Sequence, residues 1–245
     1  NRYKHRHDKL CYNCIMDMVI PFSEVFLAAV IHATLQLELG ALLLLYHASL
    51  GKHVRKKTKN LVDSYIAGIG MLVFLAVAAT AFILSHIFGT ELYAEEILIV
   101  VGMLVALAIA AWAFYYRRGK STELWLPRTV ARFIDKRAKE TNSNTEAFSL
   151  GVLTSLAEMP WTMVLFVVAA NSIIVLPSEY QLLAVAMYTI ITIIPPVVLR
   201  IAIRKGQTVV DIQRWRVKHK SFMRVITGVG FLVLGSFIFA FEVLG

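Results

Sequence analysis

The sequence predicts an all-α polytopic membrane protein whose six transmembrane helices form two inverted three-helix repeats. Three observations lead to this fold class. Hydrophobic residues make up 58% of the chain and charged residues only 17%, which lies outside the range of soluble domains. All 25 Lys and Arg residues fall into four short clusters. Six apolar segments, each of about the 20 residues that cross a bilayer, occupy most of the remaining chain.

The basic clusters set the expected orientation of the protein. They lie at 2–9, 52–59, 117–139 and 200–224. Because basic loops stay on the cytoplasmic side, loops 51–60, 117–145 and 200–222 are expected there, although this places the basic residues of 2–9 outside. We expect an integral protein of a bacterial or archaeal cytoplasmic membrane. Its net charge of +9 then faces anionic lipid, and no nucleic-acid function is expected.

The chain begins with a basic lead-in, residues 1–21. The apolar stretch from Leu10 to Ile20 is too short to cross a bilayer, and Asp17 interrupts it while Pro21 closes it. We therefore expect an interfacial or re-entrant segment. Since the first residue is Asn rather than Met, an upstream segment is also expected.

A C-x-x-C pair, Cys11 and Cys14, lies in this lead-in, with His5 and His7 close by in sequence. Such spacing suits a redox pair or half of a metal site. A plain disulfide or an idle thiol pair is the alternative, because a single C-x-x-C lacks a second pair of ligands.

Each repeat contains three predicted spans. Repeat 1 covers 22–116 and repeat 2 covers 147–245, with the basic loop 117–146 between them. The spans are expected at 22–48, 64–88, 96–116, 147–173, 180–202 and 223–244. The loops are too short to fold into a catalytic domain, and no phosphate-binding glycine loop, nucleophile elbow or zinc-protease helix motif occurs. An enzyme is therefore not expected.

Two of the basic loops also carry apolar residues at helical spacing. In 117–145 these residues are Trp125, Val130, Phe133 and Ile134, and in 200–222 they are Val209, Ile212 and Trp215. Each loop is expected to form a helix that lies flat in the headgroup layer and anchors the chain, with binding of a partner protein as the alternative.

The inverted arrangement rests on a short internal repeat. Residues 23–31 at the start of the first span align with residues 145–153 at the start of the fourth, at a shift of 122 residues. The alignment pairs Glu24 with Glu146, Phe26 with Phe148, His32 with Thr154 and Gln36 with Glu158. Because three spans per half is an odd number, the halves would have opposite orientations, as in transporters with a site between their repeats. Chance similarity between apolar helices is the alternative.

The second half carries three longer motifs. They are FSLGVLTSLAEMPW at 148–161, MYTIITIIPP at 187–196 and RVITGVGFLVLG at 224–235. These motifs resemble the CcdA-type cytochrome c biogenesis proteins, the transmembrane type of the DsbD thiol-disulfide proteins, and the wider LysE superfamily of exporters. The resemblance implies a six-helix, two-repeat membrane domain with its functional groups on the first and fourth helices.

The chain departs from the CcdA-type pattern at the cysteines. That family carries electrons with one cysteine in each of these two helices, but Trp161 stands at the fourth-helix position and the first span contains no cysteine. Because thiol exchange requires thiols, the two-cysteine shuttle does not transfer to this chain. The resemblance therefore supports the scaffold and not the redox activity.

Polar groups within the spans are the main candidates for a substrate or ion site. They are Glu38, His32 and Gln36 in the first span and Glu158 and Thr154 in the fourth. A charge at the centre of a span costs roughly 2.5 to 3.5 kcal/mol on insertion scales, so each group is a candidate ligand or proton-coupling group. On a continuous helix His32 and Gln36 lie away from Glu38. A protonated carboxyl bonded to a neighbouring helix is the structural alternative.

The remaining candidates are gate or interface residues. They are Glu24, Glu146, Pro160, Pro195 and Pro196. The prolines are expected to break the fourth and fifth helices and free backbone carbonyls that could line a cavity, with a passive kink in the fifth helix as the alternative. The two glutamates are expected near opposite faces of the membrane, and Glu242, close to the end, is expected to be solvated.

The sequence thus predicts a secondary transporter, an exporter, of a small solute or metal cation by alternating access. The first alternative is a CcdA-like thiol-disulfide protein that uses Cys11 and Cys14, and the second is a membrane scaffold or accessory subunit. No cofactor is expected beyond a bound metal cation. The expected partners are the lipid bilayer and the transported solute or cation, and Gly228 and Gly235 would permit a homodimer.

Overall fold

Helices account for nearly all of the described chain, and no strand occurs in the parts that the structure describes. The computed structural model describes residues 2–35, 37–50, 55–87, 89, 94–113, 128–205 and 208–244. The backbone alone is described for 2–17, 37, 50, 55, 56, 94, 113, 128, 220 and 224. The helices are α1 (Arg2–Thr34), α2 (Leu37–Leu50), α3 (Arg55–Ile87), α4 (Ala94–Ala113), α5 (Arg128–Glu140), α6 (Asn144–Val175), α7 (Ser178–Arg204), α8 (Val209–Lys218) and α9 (Lys220–Ile238), with a π-helical turn at Phe239–Val243.

Five of these helices, α3, α4, α6, α7 and α9, are long and apolar enough to cross a membrane. The bent pair α1–α2 is a sixth if its two parts form one span. Large apolar side chains such as Phe82, Trp112 and Leu182 point outward, whereas many polar side chains are buried between helices. This distribution suits a protein surrounded by lipid. The all-helical class with five or six membrane-length helices is confirmed, and the inverted repeat stays a prediction.

The first span is not the single helix predicted over 22–48. Helix α1 ends at Thr34, and α2 continues at an angle of 45°. The Thr34 hydroxyl donates to the Ile31 carbonyl (2.7 Å), which is the acceptor that the Leu35 amide would use in a regular helix. The Leu35 amide donates to His32 instead (2.9 Å). A hydroxyl that competes for a backbone acceptor in this way bends a helix, so no proline is needed at the break.

The prolines, in contrast, do not end the helices that contain them. Helix α6 runs through Pro160, and α7 runs through Pro195 and Pro196, so the predicted breaks in the fourth and fifth helices are wrong. Helix α1 likewise continues through Pro21, so this proline does not end a helix, and the interfacial position of 10–20 stays a prediction. Proline is tolerated within membrane helices because neighbouring groups satisfy the carbonyl that it leaves without a donor.

Helix α6 lies at the centre of the bundle. Its largest interface is with α3, and it also packs against α1, which in turn contacts α7 and α9. Gly228 and Gly235 of α9 face Ala108 and Leu104 of α4 in the same chain. These two glycines therefore contribute to helix packing within one chain. The homodimer stays a prediction, but the two glycines no longer support it.

The two amphipathic helices pack against the bundle, and their position in the headgroup layer stays a prediction. Ile134 and Ala138 of α5 are buried, and α5 contacts α2 and α6. Ile212 of α8 is partly buried against the core, whereas Phe133 and Trp215 remain exposed. Trp125 lies outside the described residues. Each helix therefore uses part of its apolar face to cover the bundle and leaves one aromatic side chain outside.

Replacing Ser143 with alanine is expected to lower the free energy of unfolding by about 1 kcal/mol, or roughly 2 to 4 °C in Tm. Ser143 caps α6: its hydroxyl accepts from the Glu146 amide (3.3 Å), and the Glu146 carboxylate accepts from the Ser143 amide (3.2 Å). Thermal unfolding in detergent measures the change. Ser178→Ala is the matched control because no side chain caps the start of α7. Equal Tm values for the two variants would contradict the capping role.

Candidate functional site

Three ionisable side chains from three helices meet in the interior of the bundle. His32 lies at the end of α1, Glu38 in the first turn of α2 and Glu158 in the middle of α6. One ligand atom from each, an imidazole nitrogen or a carboxylate oxygen, lies within 4.8 Å of the others. Their exposed fractions are 4%, 6% and 1%. We refer to these three residues as the central cluster.

The break between α1 and α2 creates this cluster. On a continuous helix, residues six positions apart differ by about 240° around the axis, so His32 and Glu38 would point in different directions. The 45° bend turns both toward α6. The separation of His32 from Glu38 expected from the sequence is therefore wrong, and the local hydrogen bonding of Thr34 is the reason.

The carboxylate of Glu38 is held by α6. The Ser155 hydroxyl donates to its Oε1 atom, and Ser155 itself is buried. The Tyr65 hydroxyl of α3 donates to the Glu38 backbone carbonyl (2.8 Å). The start of α2 is thus fixed by hydrogen bonds from two neighbouring helices, which orients the carboxylate toward the cluster.

Thr154 contacts the central cluster indirectly, through the Tyr65 hydroxyl. Its Oγ1 atom lies 2.9 Å from the Tyr65 hydroxyl and also bonds the Gly151 carbonyl (2.9 Å). Thr154 therefore positions Tyr65, which in turn contacts the backbone of Glu38. The sequence predicted Thr154 as a supporting residue of the site, and the structure gives it a contact through which such support could act.

The imidazole of His32 is oriented by aromatic residues. Its Nδ1 atom lies 3.0 Å from the Tyr188 hydroxyl, and the ring packs edge-on against Phe166 with 5.5 Å between centroids. If Nδ1 carries the proton and donates to Tyr188, Nε2 keeps a free lone pair. A histidine that is fixed through one nitrogen in this manner is prepared to bind a cation through the other.

The central cluster combines one nitrogen donor with two carboxylates in a nearly water-free environment. Two carboxylates this close and this buried need a compensating positive charge, which either a proton or a cation can supply. A mixed set of imidazole and carboxylate donors suits divalent first-row transition metals such as Zn²⁺, Fe²⁺ and Mn²⁺.

The gate candidates occupy different environments. Glu24 is buried between α1 and α6, where its Oε2 atom accepts from the Ser172 hydroxyl (2.6 Å). Glu146 is exposed at the other end of α6 and belongs to the helix cap. Pro160 is exposed on α6, Pro195 is partly buried and Pro196 is buried in α7. The two glutamates therefore lie near opposite ends of α6.

Some predicted site residues cannot be placed. Gln36 lies outside the described residues. Cys11, Cys14, His5 and His7 fall within α1, but their side chains lie outside the described part of the chain.

Sequence reasoning missed Ser155, Tyr65, Tyr188 and Phe166. A signal existed for Ser155, which is three residues before Glu158 and so lies on the same side of the helix. The two tyrosines could have been noted as polar groups within apolar spans, but which residues they contact depends on how the helices pack.

Comparison of the chain with protein-family models, curated proteins and solved structures finds no match. Function is therefore inferred from the geometry of the site.

Proposed function

We propose that this protein is a secondary transporter that carries a divalent transition-metal cation through the central cluster by alternating access. The observation that carries the proposal is the convergence of His32, Glu38 and Glu158, whose ligand atoms lie within 4.8 Å of one another. Buried ionisable groups within membrane spans mark ion pathways by default because of their cost. A metal cation fits this donor set better than a small organic solute does.

The discontinuous first span supports the proposal. Transporters commonly bind ions where a membrane helix is interrupted, because the chain there offers groups that a regular helix does not. The break at Leu35 lies between two of the three cluster residues, His32 and Glu38. A change in the 45° angle between α1 and α2 would alter the distance between these two ligands, which couples cation binding to helix movement.

A large cavity lies next to the break. It has a volume of about 840 Å³ and is lined by Thr34 and Leu39 on either side of the break, by Pro195 of α7 and by Arg216 of α8. Helix α8 belongs to the basic loop 200–222, which is expected on the cytoplasmic side. The cavity would therefore lie on that side of the break, beside the neighbours of His32 and Glu38 in the chain, and export is the direction that we propose.

The redox alternative has less support. It depends on Cys11 and Cys14, whose side chains lie outside the described part of the chain, whereas the transporter proposal rests on described contacts. The accessory-subunit alternative predicts no cation binding at all, so a binding experiment separates it from the transporter.

The test is thermal unfolding of the detergent-purified protein with Zn²⁺, Mn²⁺ or Fe²⁺. A cation that binds the folded state raises Tm by roughly 3 to 6 °C at ten times its Kd. We expect this rise in the wild type and no rise in Glu158→Gln, which removes a ligand charge with almost no change in size.

The matched control is Glu179→Gln, which removes an exposed carboxylate at the start of α7. It should respond to the metals as the wild type does. An equal rise in Glu158→Gln would show that the metals bind elsewhere, and no rise in any protein would favour the accessory subunit.

A further inference from the structure

A second group of oxygen ligands lies along α1 and α6, away from the central cluster. It comprises Glu24 of α1, Asn171 of α6 and Glu242 in the π-helical turn after α9. These three side chains line a cavity of about 10 Å³, whose other walls are apolar and include Ile97, Val168 and Ile238. This volume is about that of a single water-sized guest. We call the three polar residues the outer cluster.

Two buried oxygen atoms of the outer cluster lack hydrogen-bond partners among the described residues. Glu24 is only 2% exposed, and while its Oε2 atom accepts from Ser172, its Oε1 atom has no partner. The Asn171 amide nitrogen donates to Glu242 Oε1 (3.3 Å), which leaves the buried Asn171 Oδ1 atom without one. Buried oxygen atoms are rarely left in this way, so such atoms beside a small cavity point to a guest.

We propose that the outer cluster binds a dehydrated hard cation, of the class of Na⁺ or Ca²⁺. Every ligand offered is an oxygen atom, from two carboxylates and one amide, which is the donor set that hard cations prefer. Mg²⁺ is excluded by size, because it keeps several of its waters and the cavity holds one small guest. A water molecule could also donate to both orphan oxygens, but the carboxylates would then need protons to compensate their charges, and the salt response in the test below separates the two cases.

The local backbone and the position of the cluster agree with this assignment. Glu242 lies in a π-helical turn, a rare geometry that is frequent at functional sites. Glu24 precedes His32 by eight residues, which is about 12 Å along α1. The outer cluster is therefore a separate site with a different donor set, and it goes beyond the proposed transport function. Glu242 is half-buried here, so its expected solvation is wrong.

The test is thermal unfolding of the full chain in NaCl or CaCl₂, with choline chloride used to hold the ionic strength constant. The wild type should gain roughly 3 to 6 °C at ten times the Kd of the bound cation. A rise with NaCl alone identifies Na⁺, and a rise with micromolar to millimolar CaCl₂ identifies Ca²⁺. Glu24→Gln and Glu242→Gln should each lose the rise, whereas Glu158→Gln should keep it.

Asn171→Asp provides a second test, because it adds a carboxylate to the outer cluster where the two glutamine variants each remove one. With a bound cation, a third carboxylate should preserve the rise in Tm despite the lost hydrogen bond to Glu242, whereas with a water alone it should lower Tm and produce no cation response. The proposal is overturned if neither salt raises the Tm of the wild type, or if both glutamine variants respond as the wild type does. Because Glu158→Gln reports on the central cluster only, failure of the outer site is distinguishable from failure of metal transport.

Discussion

Replacing Gly151 with alanine is expected to separate α3 from α6 and to destabilise the protein strongly, although it adds only one methyl group. A Cβ atom at this position would lie 2.2 Å from the Tyr65 carbonyl oxygen, and one at Gly68 would lie 2.2 Å from the Phe148 carbonyl oxygen. Both obstacles are backbone atoms, so no side-chain rotation relieves the clash. The two helices must move apart along the largest interface in the bundle.

The expected loss is about 3 kcal/mol or more, at the upper end of the range for overpacking, because a backbone shift also costs the contacts around it. For a chain of this length the loss corresponds to a fall in Tm of roughly 6 to 12 °C. Thermal unfolding in detergent and size-exclusion chromatography measure the stability and the folded fraction. Gly68→Ala should behave as Gly151→Ala does.

Two glycines provide matched controls. A Cβ atom at Gly102 meets nothing within 4 Å, and one at Gly70 makes an ordinary contact of 3.6 Å with Ile193. Since alanine also favours a helix by up to about 1 kcal/mol, both controls should be neutral or slightly more stable than the wild type. If the Tm of Gly151→Ala stays within about 2 °C of Gly102→Ala, the α3–α6 contact is not as close as the structure gives it.

The close approach of α3 and α6 also matters for the site. It places the Tyr65 hydroxyl within 2.9 Å of Thr154 and within reach of the Glu38 carbonyl. Only glycine allows backbones to approach to this distance. The contact from Thr154 through Tyr65 to the backbone of Glu38 is therefore held in place by the close packing of α3 against α6.

The sequence was informative about the spans and less so about their interruptions. Segments such as 64–88 and 180–202 correspond to α3 and α7, because an unbroken apolar run of about 20 residues leaves few other structures. The helix break was expected at Pro160 and at Pro195, and it occurs at Leu35 instead. A threonine that takes a backbone acceptor leaves a much weaker trace in a sequence than a proline does.

The candidate site, like the helices, could be predicted only in part from the sequence. Glu38, Glu158 and His32 could be identified because ionisable groups are rare and costly in apolar spans. That the three meet depends on a bend between His32 and Glu38 that no periodicity analysis reveals. The outer cluster was harder still, because Asn171 and Glu242 lie on different helices and are brought together with Glu24 only by packing.

Replacing His32 with alanine is expected to reduce the proposed metal transport to a small residue, whereas Tyr188→Phe should weaken it less. His32 supplies the one nitrogen donor of the central cluster, while Tyr188 touches only its Nδ1 atom. Loss of an outer partner of a ligand typically costs 10- to 100-fold in metal affinity or activity, as an order of magnitude. Loss of the ligand should cost more than this. Uptake of Zn²⁺ into proteoliposomes, read with an enclosed metal-sensitive dye, measures both variants.

The ratio between metals distinguishes a ligand from a packing residue. Without the imidazole, only oxygen donors remain, so residual binding by His32→Ala should shift from Zn²⁺ toward Mn²⁺, which accepts carboxylates more readily. A residue that merely fills space would lower transport of both metals equally. Tyr188→Phe keeps the imidazole and should preserve the wild-type order of metals. An unchanged order in His32→Ala, at any level of transport, would remove His32 from the ligand set and leave the two carboxylates as the site.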